Sequence, residues 1–311
     1  MLLGLSALTF FCGALFVFIV FTGYDGGKAP PPKIAPEAGI STGRLVYECV
    51  IDGNEDVCGI PAGGGIQMRL TDHPAQDGCP RWTPDGRRVI FNSNRSGEWQ
   101  LWEMDADGGN QRRLRTSEDR DRESDPAPDG SSVVYLSNHG GIEGIWIQAL
   151  RGGKERRLVQ FRRRTVIGNP DWSPRGDEIV FSSNHSFGHQ IYRINVETTA
   201  VERVSPATNG GCEPRFSPDG NKVVYVTRRH FKTTSQIIEH DLKTGKERLL
   251  LHWPALNYDP VYSPDASELA FASSIAGQVF SIYRQRLSDG RSWRVTFGPG
   301  AARHPDYAPT K

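Results

Sequence analysis

The sequence predicts an all-β protein: a six-bladed β-propeller of four-stranded blades, its ring closed by a C-terminal strand paired with the N-terminal blade, and preceded by one hydrophobic helix. Three observations predict it. The phrase Pro80-Arg81-Trp82-Thr83-Pro84-Asp85-Gly86 returns as Pro170-Asp171-Trp172-Ser173-Pro174-Arg175-Gly176 and at 214–220, with worn copies at 124–130, 260–266 and 305–309. Its second proline falls at 84, 128, 174, 218, 264 and 309, at intervals of 44, 46, 44, 46 and 45 residues. A fixed period of about 40–50 residues suits a four-stranded propeller blade. Between the copies lie short β-branched and aromatic runs, punctuated by Gly, Pro and Asp turns.

The chain begins with 23 residues, Leu2 to Tyr24, that carry no charged side chain. As a helix rising about 1.5 Å per residue they would cross a hydrocarbon core of about 30 Å. A signal peptide would have a basic start and a small-residue cleavage site, so residues 1–24 are expected to form an uncleaved membrane anchor. Cys12 follows Phe10-Phe11, which fits a membrane-buried thiol better than a lipidation site. Residues 25–40 form a proline-rich linker, with Ala29-Pro30-Pro31-Pro32 at its centre, stiff enough to hold a domain off a surface. Residues 41–311 are the propeller. Lys28 and Lys33 favour a cytoplasmic C-terminal side by the positive-inside rule. The spacer and the cysteines favour the outer face, and that orientation is the expectation. The location expected is therefore the cytoplasmic membrane, single-pass, with the propeller on the periplasmic or extracellular side. A formal net charge of +1 supplies no basic field for a nucleic acid.

Each repeat reads in one order. The phrase is the innermost strand and Pro-Asp-Gly turns out of it. An apolar strand follows, as in Val89-Ile90-Phe91 and Val223-Val224-Tyr225, then a third such as Gln190-Ile191-Tyr192-Arg193-Ile194, then an outer strand ending Arg113-Leu114 or Arg203-Val204. Residues 43–70 lack a first strand, while 305–309 supply only a first strand. The two complete one blade and close the ring, which removes an open edge.

These motifs resemble the WD40-like repeat of the TolB family: P-x-W-S-P-D-G, a V-V-Y or I-V-F strand, S-N-R or S-N-H, I-Y, and D-x-x-G-G. The resemblance covers residues 41–309. It implies the propeller fold, and it leaves function open because the repeat occurs in scaffolds, in sensors and beside hydrolase domains. Family members with an envelope role carry an α/β domain before the propeller, for which an anchor and a short linker leave no room.

Cys49 and Cys58 flank an Asp52-Gly53-Asn54 turn. A hairpin centred on Gly53 and Asn54 would set the cysteines opposite each other at about 4.5–5.5 Å between Cα atoms, within disulfide reach. The pair is a disulfide candidate, with two unpaired thiols as the alternative, and a disulfide would imply an oxidising compartment. The residues before each phrase, Cys79, Glu123, Asn169, Glu213, Asp259 and His304, should gather at one end of the channel. They would either solvate a water-filled mouth or hold a hard divalent cation through oxygen ligands. No other cofactor is expected.

Arg95, His139, His185 and Arg229 share one repeat position after the second strand. They form either a structural feature of the repeat or a ring that receives an acidic peptide, carboxylate or phosphate. Arg162, Arg163 and Arg164 break the repeat and are candidate partner contacts; Trp82, Trp172, Phe216, Tyr262 and Tyr307 recur with the blade and are packing residues. G-x-S-x-G, H-E-x-x-H and P-loop motifs are absent from the sequence. The expected function is a non-enzymatic interaction scaffold that binds an envelope protein. The alternatives are an extracytoplasmic small-ligand or metal sensor, or a propeller lyase or hydrolase.

Overall fold

The computed structural model describes residues 43–310, except 163, 187, 207–209 and 228–232. The expected anchor and linker lie outside the described residues, among which no helix is long and apolar enough to cross a membrane. The first strands are β1 (Arg44–Ile51), β2 (Asn54–Pro61) and β3 (Met68–Arg69). The second blade is β4 (Asp77–Trp82), β5 (Arg88–Ser96), β6 (Glu98–Asp105) and β7 (Arg112–Arg113). The third is β8 (Asp121–Pro126), β9 (Ser132–Ser137), β10 (Gly144–Ala149) and β11 (Glu155–Gln160). The fourth is β12 (Ile167–Trp172), β13 (Glu178–Ser183), β14 (Gln190–Asn195) and β15 (Val201–Arg203). The fifth is β16 (Cys212–Phe216), β17 (Lys222–Thr227), β18 (Gln236–Asp241) and β19 (Glu247–Leu251). The sixth is β20 (Asn257–Tyr262), β21 (Glu268–Ser273), β22 (Ser281–Arg286) and β23 (Ser292–Arg294). The last strand, β24 (Ala302–Tyr307), returns to pair antiparallel with β1, giving the first blade the order β24-β1-β2-β3. The described residues thus form six four-stranded sheets.

The second strand of each blade is apolar on both faces because each face meets a neighbouring blade. Leu45, Val46 and Tyr47 of β1 are fully buried, as are Val89, Ile90 and Phe91 of β5. Alternate residues serve opposite neighbours. Val46 packs with Trp82, Val89 and Phe91 of the second blade, whereas Leu45 and Tyr47 pack with Val261, Ala270 and Ile282 of the sixth. The other clusters repeat this arrangement between successive blades. Burying each large apolar side chain contributes about 1.5–3 kcal/mol, so the core is a set of inter-blade seams, and the seam between sixth and first blades closes the ring.

The repeated phrase supplies a turn and a wedge. In three copies the hydroxyl ahead of proline donates to the Asp two residues on, at 2.6 Å for Thr83–Asp85, 2.5 Å for Ser217–Asp219 and 2.6 Å for Ser263–Asp265. The turn residue Gly220 has φ 68°, and Ala266 holds the same left-handed position at φ 56° in the worn copy. The wedge residues Trp82, Trp172, Phe216, Tyr262 and Tyr307 are all buried.

The β1–β2 hairpin corrects one expectation. Its register pairs Ile51 with Asn54, so the turn is Asp52-Gly53 and not Gly53-Asn54. Both turn residues have positive φ, 52° and 82°, the geometry an Asp-Gly two-residue hairpin favours. Cys49 therefore faces Asp56 and Cys58 faces Tyr47. The cysteines are diagonal neighbours on one face, with Cα atoms 5.9 Å apart and their sulfurs joined.

Candidate functional site

The channel is lined by the six inner strands, and each makes the same irregularity. Cys79, Glu123, Asn169, Glu213, Asp259 and His304 all adopt left-handed backbone, with φ between 49° and 55°. The pairing slips around each of them, as between Gly78 and Arg81 or between Arg122 and Asp125. These are β-bulges; each inserts an unpaired residue and redirects its backbone N–H. A non-glycine residue held there costs on the order of 1–3 kcal/mol, and inter-blade bonds offset that cost. The N–H of Asn169 donates to Glu123 Oε2 at 2.6 Å, that of Asp259 to Glu213 Oε2 at 2.7 Å, and that of His304 to Asp259 Oδ2 at 3.1 Å. Where the inner residue behind is His304 or Cys79, a second-strand side chain takes over. The Cys79 N–H reaches Glu48 Oε2 at 3.3 Å, and the Glu123 N–H reaches Asn92 Oδ1 at 3.0 Å. The predicted mouth residues are thus brought together as a belt that steps from blade to blade.

One corner of this belt concentrates charge. Arg303 clamps Asp259 at 2.5 and 3.2 Å, with its guanidinium 4.9 Å from the rings of Tyr258 and Phe280. His304 Nδ1 lies 3.0 Å from Asp259 Oδ1, and its Nε2 lies 3.9 Å from Glu48 Oε2. Burial works against the Asp259 carboxylate, but Arg303 and His304 hold its pKa well below the usual range. Burial and the Asp259 charge raise Glu213 to about 7. Burial opposes the charged imidazole, yet Asp259 and Glu48 raise His304 above its ordinary value. Burial, then Glu48 and Glu123, push the Cys79 thiol well up. Donor atoms of Glu48, Cys79 and His304 all lie within 4.8 Å of one another.

A second belt lies two residues further along the inner strands, at Arg81, Asp125, Asp171, Arg215 and Asp306. Asp125, Asp171 and Asp306 accept the N–H of Trp172, Phe216 and Trp82, respectively, at 2.9, 2.8 and 2.9 Å. Arg215 lies 2.8 Å from Asp171 and 3.8 and 3.9 Å from Asp306 and Asp125. Burial, then the Asp171 charge, raise Asp125 to about 7. Asp125, Asp171, Arg215 and Asp306 floor a cavity of ≈ 270 Å³ rimmed by Pro84, Pro174, Pro218, Pro264 and Pro309.

A six-sheet propeller whose blades are keyed by a repeated proline phrase is matched by the model of the TolB beta propeller domain, over residues 25–162, 127–252 and 161–311. The chain belongs to the TolB β-propeller family. Among solved structures, the chain is similar to TolB from Acinetobacter baumannii, at TM-score 0.78 and 19% identity, over 88% of this chain and 68% of that one. It is also similar to a putative TolB from Agrobacterium tumefaciens, at TM-score 0.67 and 16% identity, over 87% of this chain and 100% of that one. An uncharacterized protein of Agrobacterium fabrum is 41% identical over 58 residues, 19% of this chain and 20% of its own. The match therefore spans about a fifth of that relative.

Within this TolB-family propeller the expected ring of basic residues separates. Of the two roles open to Arg95, its contacts match the structural one. It is half-buried, bonded to Asp77 at 2.7 Å and Gln111 at 2.8 Å, and stacks over Trp102 at 4.6 Å. His139 is exposed but paired with Asp119 at 2.5 Å and set edge-on to Trp146. His185 stacks on Phe161 at 4.4 Å and lies 4.1 Å from the Tyr192 ring. Arg229 and Arg163 lie outside the described residues. Arg162 and Arg164 are exposed in the segment joining β11 to β12, which leads within five residues to the mouth residue Asn169. Sequence reasoning missed Glu48, Arg81, Asp125, Asp306 and Arg303. The Arg or Asp that stands three residues before the second proline in five of the six copies was the available signal for the second belt.

Proposed function

We propose that this TolB-family propeller is a non-enzymatic protein-interaction scaffold of the cell envelope. In this reading residues 1–24 anchor it in the cytoplasmic membrane, and the propeller faces the periplasmic or extracellular side. The observation that carries the binding reading is a contrast on the mouth face. The charged groups of the belts are engaged with one another, whereas Arg162 and Arg164 are exposed on an irregular segment beside the mouth, next to exposed Val166. Rigid scaffolds that display cationic loops favour partners with carboxylate-rich surfaces. The joined sulfurs of Cys49 and Cys58 support an oxidising location.

In-cell crosslinking of the full-length chain, with mass spectrometry of the captured species, tests this reading. Arg162→Glu with Arg164→Glu is expected to cut capture of the dominant partner about tenfold or more, since each charge-assisted contact is worth about 1.5–3 kcal/mol. The melting temperature should hold. Capture that survives the double reversal would remove this segment from the interface.

A further inference from the structure

We propose that Glu48, Cys79 and His304 form a binding site for a borderline-soft divalent cation, zinc in the first instance, where the C-terminal strand closes the ring. This inference is independent of the scaffold reading. The three residues come from β1, β4 and β24, the strands that meet where the first blade joins the second. Their donor atoms, a thiol sulfur, an imidazole nitrogen and a carboxylate oxygen, lie within 4.8 Å of one another. Thiolate, imidazole and carboxylate together suit zinc, at bond lengths of about 2.0–2.3 Å, and disfavour calcium or magnesium, which take oxygen alone. Tetrahedral donors would sit about 3.3–3.8 Å apart at those bond lengths. The 3.9 Å between His304 Nε2 and Glu48 Oε2 is already close to that.

Four further features aim these donors at one point. His304 Nδ1 is engaged by Asp259 Oδ1 at 3.0 Å, which leaves Nε2 toward Glu48. A carboxylate on the far nitrogen is the usual support of a metal-ligating histidine. Glu48 is held in turn by the Cys79 N–H at 3.3 Å. Gly78 makes room for it: a Cβ there would lie 2.4 Å from Glu48 Oε2. The left-handed bulges at Cys79 and His304, φ 49° and 50°, bring their side chains into this group. Three protein donors leave a fourth coordination position for water or a ligand.

The test uses the full-length chain in detergent, stripped with a chelator and kept free of reductant so that Cys49 and Cys58 stay joined. Cys12→Ser and Cys212→Ser are introduced first, leaving Cys79 as the thiol under test. Cobalt(II) is expected to bind at one per chain with a thiolate-to-cobalt charge-transfer band, and zinc should displace it and raise the melting temperature. Cys79→Ser should abolish the band and weaken zinc binding by 100-fold or more. Gly78→Ala, which leaves all three donors in place, should weaken zinc about 10–100-fold, the range for disturbing a ligand's support, and keep the band. Should Cys79→Ser fail to fold, Gly78→Ala and Glu48→Gln carry the test. Substoichiometric metal, a missing thiolate band in the folded Cys79-only protein, or a melting temperature indifferent to zinc would overturn the site.

Discussion

Arg215 donates to Asp171 across a blade boundary at 2.8 Å, and the same carboxylate accepts the main-chain N–H of Phe216 at 2.8 Å. One side chain thus binds both the charge and the backbone of the next inner strand. Asp125 and Asp306 likewise accept the main-chain N–H of the next inner strand, at Trp172 and Trp82. The belt therefore sets the register of neighbouring blades, while the apolar seams supply most of the stabilisation.

Removal of Asp171 should be costly for that reason. Asp171→Ala leaves the Arg215 guanidinium and the Phe216 N–H without their nearest acceptor in a site about 10% exposed. Breaking a buried pair from one side costs about 3–5 kcal/mol. Asp306 and Asp125, at 3.8 and 3.9 Å from Arg215, should hold the loss near the low end of that range. Asp171→Asn retains an acceptor and should cost about half as much. Chemical denaturation of the three proteins checks the order, and equal stability of wild type and Asp171→Ala would show that the belt contributes nothing to folding.

How much of this was legible in the sequence depends on the scale of the signal. The blade recurs every 44 to 46 residues, so its strands, its wedge aromatics and the split first blade could be read from one repeated phrase. The mouth belt could be read as the residue before each phrase, but the second belt's side chains could not be read the same way. They come one to a blade, and a belt becomes visible only when the ring sets Asp125, Asp171, Arg215 and Asp306 side by side. The bulges hide them further: a left-handed residue at Cys79 or Glu213 breaks the two-residue alternation by which faces are assigned. Glu48 went unnoticed because it sits on a second strand and reaches the mouth only across Gly78. For Arg95 the sequence left a structural role and a binding role both open. Its recurrence in the repeat marked an internal role, which the structure fills with Asp77 and Trp102.

The diagonal Cys49–Cys58 pair predicts a measurable covalent constraint. The closed loop is short, with a sequence separation of 9, and loops of this order stabilise by about 2–3 kcal/mol in the chain-entropy account. Intact mass should rise by two hydrogens on reduction, and Cys49→Ser with Cys58→Ser should lower stability by about 2 kcal/mol while the propeller still forms. Protein purified from its native location without a mass change on reduction would show two thiols there and remove the support for an oxidising compartment.

Stability should also depend on pH through the buried carboxyls of both belts. Asp125, faced by Arg81, Arg215, Asp171 and Asp306, is raised from 3.8 to about 7, burial being the first cause and Asp171 the second. Glu213, faced by Asp259, Arg303 and His304, is raised from 4.5 to about 7 by burial and then Asp259. An acid whose folded pKa exceeds its unfolded value is protonated in the native state where the unfolded chain has already lost that proton. Its contribution is complete below the unfolded pKa and disappears as pH rises to about 7. The share of stability held by these carboxyls in chelator-treated protein should therefore fall from pH 5 to pH 7.5. It runs against a rise below about pH 6.5 from His185, His189 and His240, whose pKa burial lowers, so it is read as the difference in melting temperature from the variants. Aspartates lowered by their turns, such as Asp85, Asp219 and Asp265, act only at more acidic pH and do not reverse this trend. Asp125→Asn cannot ionise and should shallow the fall; Asp171→Asn should shallow it too, by removing the charge that raises Asp125. A slope identical in Asp125→Asn would mean that this carboxyl is ionised in the native ring and that Arg81 and Arg215 outweigh its burial.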